Sequence, residues 1–178
     1  TVRSHTLHAL LTEYLAGRLP AADALRAALA GLAAAGDAPA ADLRDRLEKT
    51  PDEGYRLVVR AWAQGRPGRA AARSEETWIA LARLTRALAA AAAGGRESRD
   101  LRARALSAAA TADPPPAVRG LLASLDRLTG PNEWGAPRPV WPDPAIRDEL
   151  RTHLAALRRE WDHGAAGPGD PSPPAVSR

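Results

Sequence analysis

An apolar stripe at helical spacing recurs along the chain and constrains its fold more than any other feature. In the first segment the stripe consists of Leu7, Leu10, Leu11, Tyr14 and Leu15. This i, i+3, i+4, i+7, i+8 pattern places every member on one face of an α-helix. Comparable segments begin near residues 20, 37, 50, 74, 98, 113 and 143, with glycine or proline between them. The breakers therefore predict about eight amphipathic helices.

The residue types agree with this pattern. The chain has 42 Ala, 23 Leu and 24 Arg among 178 residues, against six Val, two Ile and no Phe. Strands favour β-branched and aromatic side chains, whereas Ala, Leu and Arg are strong helix formers. The composition therefore predicts an all-α fold and excludes an all-β fold or a parallel sheet.

Several helix starts can be assigned to individual residues. Ser74, which precedes two glutamates, is predicted to cap the fifth helix. Thr50 is predicted to cap the fourth helix, with Glu53 reaching back to complete a capping box. Pro20 suits the first turn of the second helix. The segment 66–73 is expected to be a connection.

The short links between segments predict antiparallel helical hairpins, packed as a bundle or as a short right-handed superhelix. Hairpins begin near residues 6, 39, 75 and 114, and spacings of about 33, 36 and 39 lie close to the period of helical-hairpin repeats. The signature residues of a named repeat do not line up, so an irregular bundle is favoured. Residues 1–164 are expected to form one helical domain. Residues 165–178 are rich in Pro and Gly and are predicted to be disordered.

Composition also argues against disulfide-linked, membrane-spanning and secreted proteins. Without cysteine the chain has neither a disulfide framework nor a thiolate nucleophile. Its longest uncharged stretches, 27–36 and 87–95, are about half the length that a bilayer span requires. No secretory signal is visible in residues 1–20. We therefore expect a cytoplasmic protein with no membrane partner.

Motifs for catalysis, cofactors and metals are missing from the sequence. A phosphate-binding loop needs a lysine after a glycine-rich turn, and the single lysine, Lys49, has no such turn before it. No GxSxG motif is present. His5 and His8 are three residues apart, but His153 and His163 are too far apart to complete a zinc site. We expect a non-enzymatic protein that needs neither a cofactor nor a metal.

Five arginines form the most unusual charge feature, the strip at residues 56–73, which has no acidic residue. Its members are Arg56, Arg60, Arg66, Arg69 and Arg73. Their charge exceeds the formal net charge of the whole chain, +4. Arginine forks bind phosphate or carboxylate in a bidentate manner, so the strip suits a polyanion such as RNA or DNA. The alternative is a solvated face, or pairing with the acidic residues Asp42, Asp45, Glu48, Asp52 and Glu53.

A proline-rich loop at 130–144 contains two of the five tryptophans, Trp134 and Trp141, together with Arg138. Exposed indoles are costly in solubility, so they either pack on the helices as a strap or anchor a partner. Trp141 is expected to pack inward and Trp134 to be the more exposed.

The sequence therefore predicts a non-catalytic helical adaptor that binds another protein, with Trp134, Arg138 and Trp141 as candidate contact residues. The alternative function is polyanion binding through the arginine strip, which would make nucleic acid a second possible partner. The two classes differ in their response to salt, because phosphate contacts release counterions.

Overall fold

The computed structural model describes residues 2–94, 98–129, 134 and 144–163. Within these ranges the chain is helical and has no strand, which confirms the all-α prediction. The helices of this part are α1 (Val2–Leu15), α2 (Ala22–Ala34), α3 (Ala38–Lys49), α4 (Gly54–Gly65), α5 (Pro67–Ala70), α6 (Glu75–Ala92), α7 (Ser98–Ala109), α8 (Pro116–Thr129) and α9 (Pro144–Asp162). A 3-10 turn at Pro51–Glu53 precedes α4.

Helix α6 is the centre of the bundle. It packs against α7, α9, α4 and α1, while α2 packs on α3 and α8 packs on both α7 and α9. A repeat protein brings together only neighbouring units, whereas α6 joins helices from both ends of the described chain. This arrangement is a bundle.

The predicted stripes form the core. In α9 all five predicted positions are buried: Ile146, Leu150, Leu154, Leu157 and Trp161. In α1 the stripe is buried except for Leu10, which is partly exposed. Helix α7 contributes small residues, and Ala105 and Ala108 are buried beside Leu101. In α1 and α9 local periodicity therefore identified the buried face, because a helix at the outside of a bundle buries one side against its neighbours. The central helix α6 buries residues around more of its circumference, among them Trp78, Ile79 and Leu84.

The helix boundaries lie within a few residues of the predicted ones. The Ser74 hydroxyl accepts a hydrogen bond from the backbone N–H of Thr77 at 3.2 Å, which confirms the cap of α6. The capping box at Thr50 is wrong, because its hydroxyl instead donates to the carbonyl of Arg46 at 2.9 Å and closes the end of α3. Helix α2 begins at Ala22, after Pro20. The connection at 66–73 includes the single turn α5.

The turn between α1 and α2 approaches α6 closely. Gly17 has a φ of +77°, which only glycine adopts without strain, and a Cβ there would lie 2.7 Å from the Cβ of Ala89. Two guanidinium groups hold this turn. Arg86 on α6 donates to the carbonyls of Tyr14, Leu19 and Pro20, and Arg158 on α9 donates to those of Ala16 and Gly17. The turn is thus tied to two helices by hydrogen bonds to its own backbone.

The predicted disorder of residues 165–178 lies outside the described residues. The 130–144 loop does so as well, apart from Trp134 and Pro144.

Candidate functional site

Three of the five tryptophans meet in the core. The rings of Trp62, Trp78 and Trp161 lie 4.8–5.0 Å apart between centroids, and each side chain is at most 1% exposed. Trp78 donates its indole N–H to the carbonyl of Ala70, and Trp161 donates to the hydroxyl of Thr85. The two contacts of Trp62 are edge-on, and aromatic contacts of this geometry stabilise a core beyond the area they bury. These indoles are structural.

Trp134, by contrast, is exposed. Its side chain is 86% exposed, and the residue lies between α8 and α9 in the chain. The other large exposed apolar side chain among the described residues is Leu106 on α7, at 44%. The two remaining members of the predicted partner site, Arg138 and Trp141, lie outside the described residues.

The first part of the arginine strip pairs with acids at the start of α6. Arg56 contacts Glu75 at 2.7 Å and Glu76 at 2.8 Å, and Arg60 contacts Glu75 at 2.5 Å. The hydrogen bond from Arg60 is the main cause that lowers the pKa of the Glu75 carboxyl. From the sequence we considered pairing of the strip with the acidic residues between 42 and 53, and not with Glu75 or Glu76. Two of those acids pair with arginines of their own helix, Asp42 with Arg46 and Asp45 with Arg44.

The remaining strip arginines lie around the ends of other helices. Arg69 donates to the carbonyls of Trp161 and Asp162, which are acceptors left open at the end of α9. Arg73 donates to the carbonyl of Asp113 and contacts Glu160 at 3.2 Å, with 10% of its side chain exposed. Arg66 is exposed and forms no ion pair with a described residue. Four of the five guanidinium groups therefore bind the protein itself.

A groove along the second half of α6 was not anticipated from sequence. Its first cavity, of about 300 Å³, lies between α4, α6 and α7. Its second cavity, of about 420 Å³, continues beside the α1–α2 turn and shares Pro20, Arg86 and Ala90 with the first. We call the two cavities together the α6 groove. The charged and aromatic lining residues are Arg18, Tyr55, Arg83, Arg86, Asp100, Arg104 and Arg158.

The charges of the α6 groove are unbalanced. Arg18 pairs with Asp162 at 2.5 Å and with Glu13 at 3.3 Å. The other four arginines of the groove form no ion pair with a described carboxylate, and Asp100 is the only acidic residue among the lining residues of the described chain. Two of these arginines lie over tyrosine rings, Arg83 at 5.5 Å from Tyr55 and Arg86 at 3.7 Å from the Tyr14 ring centroid.

Both tyrosines of the chain lie at this groove or next to it. Tyr55 borders the first cavity and also an apolar cavity of about 170 Å³, which Tyr14 and Leu25 line as well. Burial raises the pKa of the Tyr14 hydroxyl, and the cation of Arg86 opposes that shift. The Tyr14 phenol is therefore neutral at physiological pH and can serve as a hydrogen-bonding group.

A serine and a histidine form a further contact that sequence patterns did not predict. The hydroxyl of Ser124 on α8 lies 2.6 Å from Nε2 of His153 on α9. Burial lowers the pKa of His153, so the ring is neutral at physiological pH. Ser124 is 8% exposed within a helix whose N–H groups are already bonded, and no described carboxylate is hydrogen-bonded to His153. The contact links the side chains of α8 and α9.

The other histidine with a described core contact is also structural. Nδ1 of His8 lies 3.0 Å from the carbonyl of Trp62, and the two rings are stacked. Among the described residues, no three His, Asp or Glu side chains come together in a way that could hold a metal ion.

No helix in the described ranges is both long enough and apolar enough to cross a bilayer. Comparisons with protein-family models, with curated proteins and with solved structures found no match.

Proposed function

We propose that this protein is a non-catalytic interaction module that binds another protein through the surface at Trp134. The observation that carries the proposal is the exposure of this indole, 86%, in a chain that buries Trp62, Trp78 and Trp161 almost completely. The core thus contains three of the large aromatic side chains, and Trp134 lies outside it. A tryptophan at the surface is a typical anchor of a protein interface.

The position of Trp134 supports the same function. It lies between α8 and α9, which pack against each other and join the core through Leu125 and Leu150. Binding residues are concentrated on segments that connect the helices or strands of a packed scaffold. The proposal includes a cytoplasmic location.

Polyanion binding through the strip at 56–73 is the alternative hypothesis, and no contact in the structure favours it. A phosphate would have to compete with Glu75 and Glu76 for Arg56 and Arg60. It would also have to displace Arg69 and Arg73 from backbone carbonyls. Exposed Arg66 would remain as a single contact.

The test compares the wild-type chain with Trp134→Ala in a quantitative pull-down from nuclease-treated extract of the source cell. We expect a specific protein to be retained by the wild type and lost with Trp134→Ala, because truncating an anchor costs roughly 2 kcal/mol or more of binding free energy. Leu106→Ala, at the other large exposed apolar position, is the matched control and should retain the partner.

Retention that is unchanged in Trp134→Ala, or that disappears on nuclease treatment, would contradict the proposal. The second result would instead support the polyanion alternative. Binding of heparin that falls steeply with salt and is abolished by Arg66→Glu would support it as well.

A further inference from the structure

The α6 groove carries more positive charge than the carboxylates of the described residues neutralise. Arg83 and Arg104 are exposed on opposite helices of its first cavity, and neither forms an ion pair with a described residue. By contrast Arg102, two residues from Arg104 on α7, points to α8 and pairs with Asp126 at 2.8 Å. The positive charge of the groove therefore reflects the direction of each side chain and not simply the number of arginines.

The two cavities extend this charge along α6. Arg86 lies where they meet, and its guanidinium is fixed by three backbone carbonyls. Arg158 lines the second cavity, where burial and the nearby charge of Arg18 lower the pKa of its guanidinium. Arginine stays protonated in spite of such shifts, so the groove presents fixed cations. An anionic ligand would relieve the repulsion between them.

The floor of the groove is apolar. It is made by the methyl groups of Ala87 and Ala90 in the first cavity and of Ala89, Ala90 and Ala93 in the second. Such small side chains allow the backbone of a ligand to approach α6 closely. The groove thus combines a methyl floor with guanidinium groups at its edges.

We propose that the α6 groove binds an acidic peptide segment of a partner protein, with Arg83 and Arg104 as the carboxylate-binding residues. Arginine forks match the geometry of Asp and Glu carboxylates, and two arginines from different helices would hold carboxylates at separate positions of the peptide. The alanine floor receives the methylene groups between them. This groove is a second surface, and its proposal does not depend on Trp134.

The lining favours a peptide over a nucleic acid. Single-stranded nucleic acid is bound through aromatic faces on which bases stack. Among the described residues that line the first cavity, Tyr55 has the only ring, and Arg83 already lies over its face. The carboxylate of Asp100 can accept a hydrogen bond from a backbone N–H of a peptide, a donor that a phosphate backbone lacks.

The experiment measures binding of a fluorescently labelled short peptide that alternates Glu and Ala, by anisotropy, to the full chain at low and at physiological salt. We expect saturable binding that weakens with salt, because exposed ion pairs are screened. In the double variant Arg83→Glu/Arg104→Glu the affinity should fall by at least about tenfold, which corresponds to the loss of one charge-assisted hydrogen bond.

The matched control is Arg66→Glu/Arg119→Glu, which makes the same change in net charge at two exposed positions outside the groove. Its affinity should stay within about twofold of the wild type. If the double variant melts at a lower temperature than the control, the neutral substitution Arg104→Gln replaces it and should weaken binding several-fold.

Three results would overturn the proposal: no binding at low salt, an equal loss in the groove and control variants, or tighter binding of an oligothymidylate than of the peptide. The last result would assign the groove to nucleic acid. Each can occur whether or not the pull-down supports the function of Trp134.

Discussion

The two ends of α6 use the same residue type in different ways. At the N-terminal end, Arg56, Arg60 and Arg73 all form ion pairs with carboxylates. Toward the C-terminal end, Arg83 and Arg86 lie over tyrosine rings and form no ion pair with a described carboxylate. The sequence is denser in arginine around the first end, yet the unbalanced charge lies at the second. Arginine density along a chain therefore does not locate the cationic surface of the fold, because the partners of each guanidinium are set by helix packing.

The largest effect is expected from a substitution in the tryptophan core, against which the N-terminal end of α6 packs through Trp78. Trp161→Ala leaves a cavity between Trp62 and Trp78 and should lower the free energy of unfolding by roughly 3–5 kcal/mol. Chemical denaturation measures this change. Trp134→Ala is the control and should change stability by no more than about 0.5 kcal/mol, since its side chain is 86% exposed. A large loss in Trp134→Ala would show that this indole packs as a strap.

The next effect concerns Arg73, which is the least exposed arginine of the strip to form an ion pair. Arg73→Ala leaves the carbonyl of Asp113 and the carboxylate of Glu160 without their donor, and should cost about 1–3 kcal/mol of unfolding free energy. Arg66→Ala removes an exposed arginine of the same strip and should stay within about 0.5 kcal/mol. If both substitutions lowered the melting temperature equally, paired and exposed arginines of the strip would not differ in their contribution to stability.

A smaller loss of folding stability is expected when the paired carboxyl groups are protonated at low pH. Hydrogen bonds from Arg60 to Glu75, and from Arg18 to Asp162, lower the pKa of these carboxyls in the folded state. A carboxyl whose folded pKa is depressed contributes stability above its unfolded pKa of about 4, and that contribution is lost as pH falls through the folded pKa. Glu75→Gln should therefore melt at a lower temperature than the wild type at neutral pH, and the difference should shrink in acid. A difference that is constant with pH would show that the pair does not stabilise the fold.

The smallest effect is expected at the second end of α6. Arg83→Ala and Arg104→Ala should each change the free energy of unfolding by no more than about 0.5 kcal/mol, because both side chains are exposed and without ion pairs in the described structure. Removing either charge from a crowded groove can even raise the melting temperature slightly. A loss comparable to that of Arg73→Ala in calorimetry would mean that these arginines are structural and not available to a ligand.

The positions of the helices along the chain could be predicted from the sequence, but the partners of the arginine side chains in the fold could not. The cap at Ser74 and the breaks at Gly17 and Gly94 involve residues close together in the chain, so local chemistry was sufficient to predict them. Thr50 was mispredicted because a hydroxyl between two helices can serve either one, and here it serves the end of α3. Of the candidate sites, the exposure of Trp134 was anticipated, while the α6 groove was not.

What the sequence determined by itself is the set of helices and their buried faces, because periodicity, caps and breakers act over a few residues. Only the tertiary structure decided that Glu75, 15 residues after Arg60, is its partner. In the same way it decided that Trp62, Trp78 and Trp161 share one core, and that Arg83 and Arg104 face one groove. These contacts join different helices, and their geometry follows from how the helices pack around α6, which no short stretch of sequence encodes.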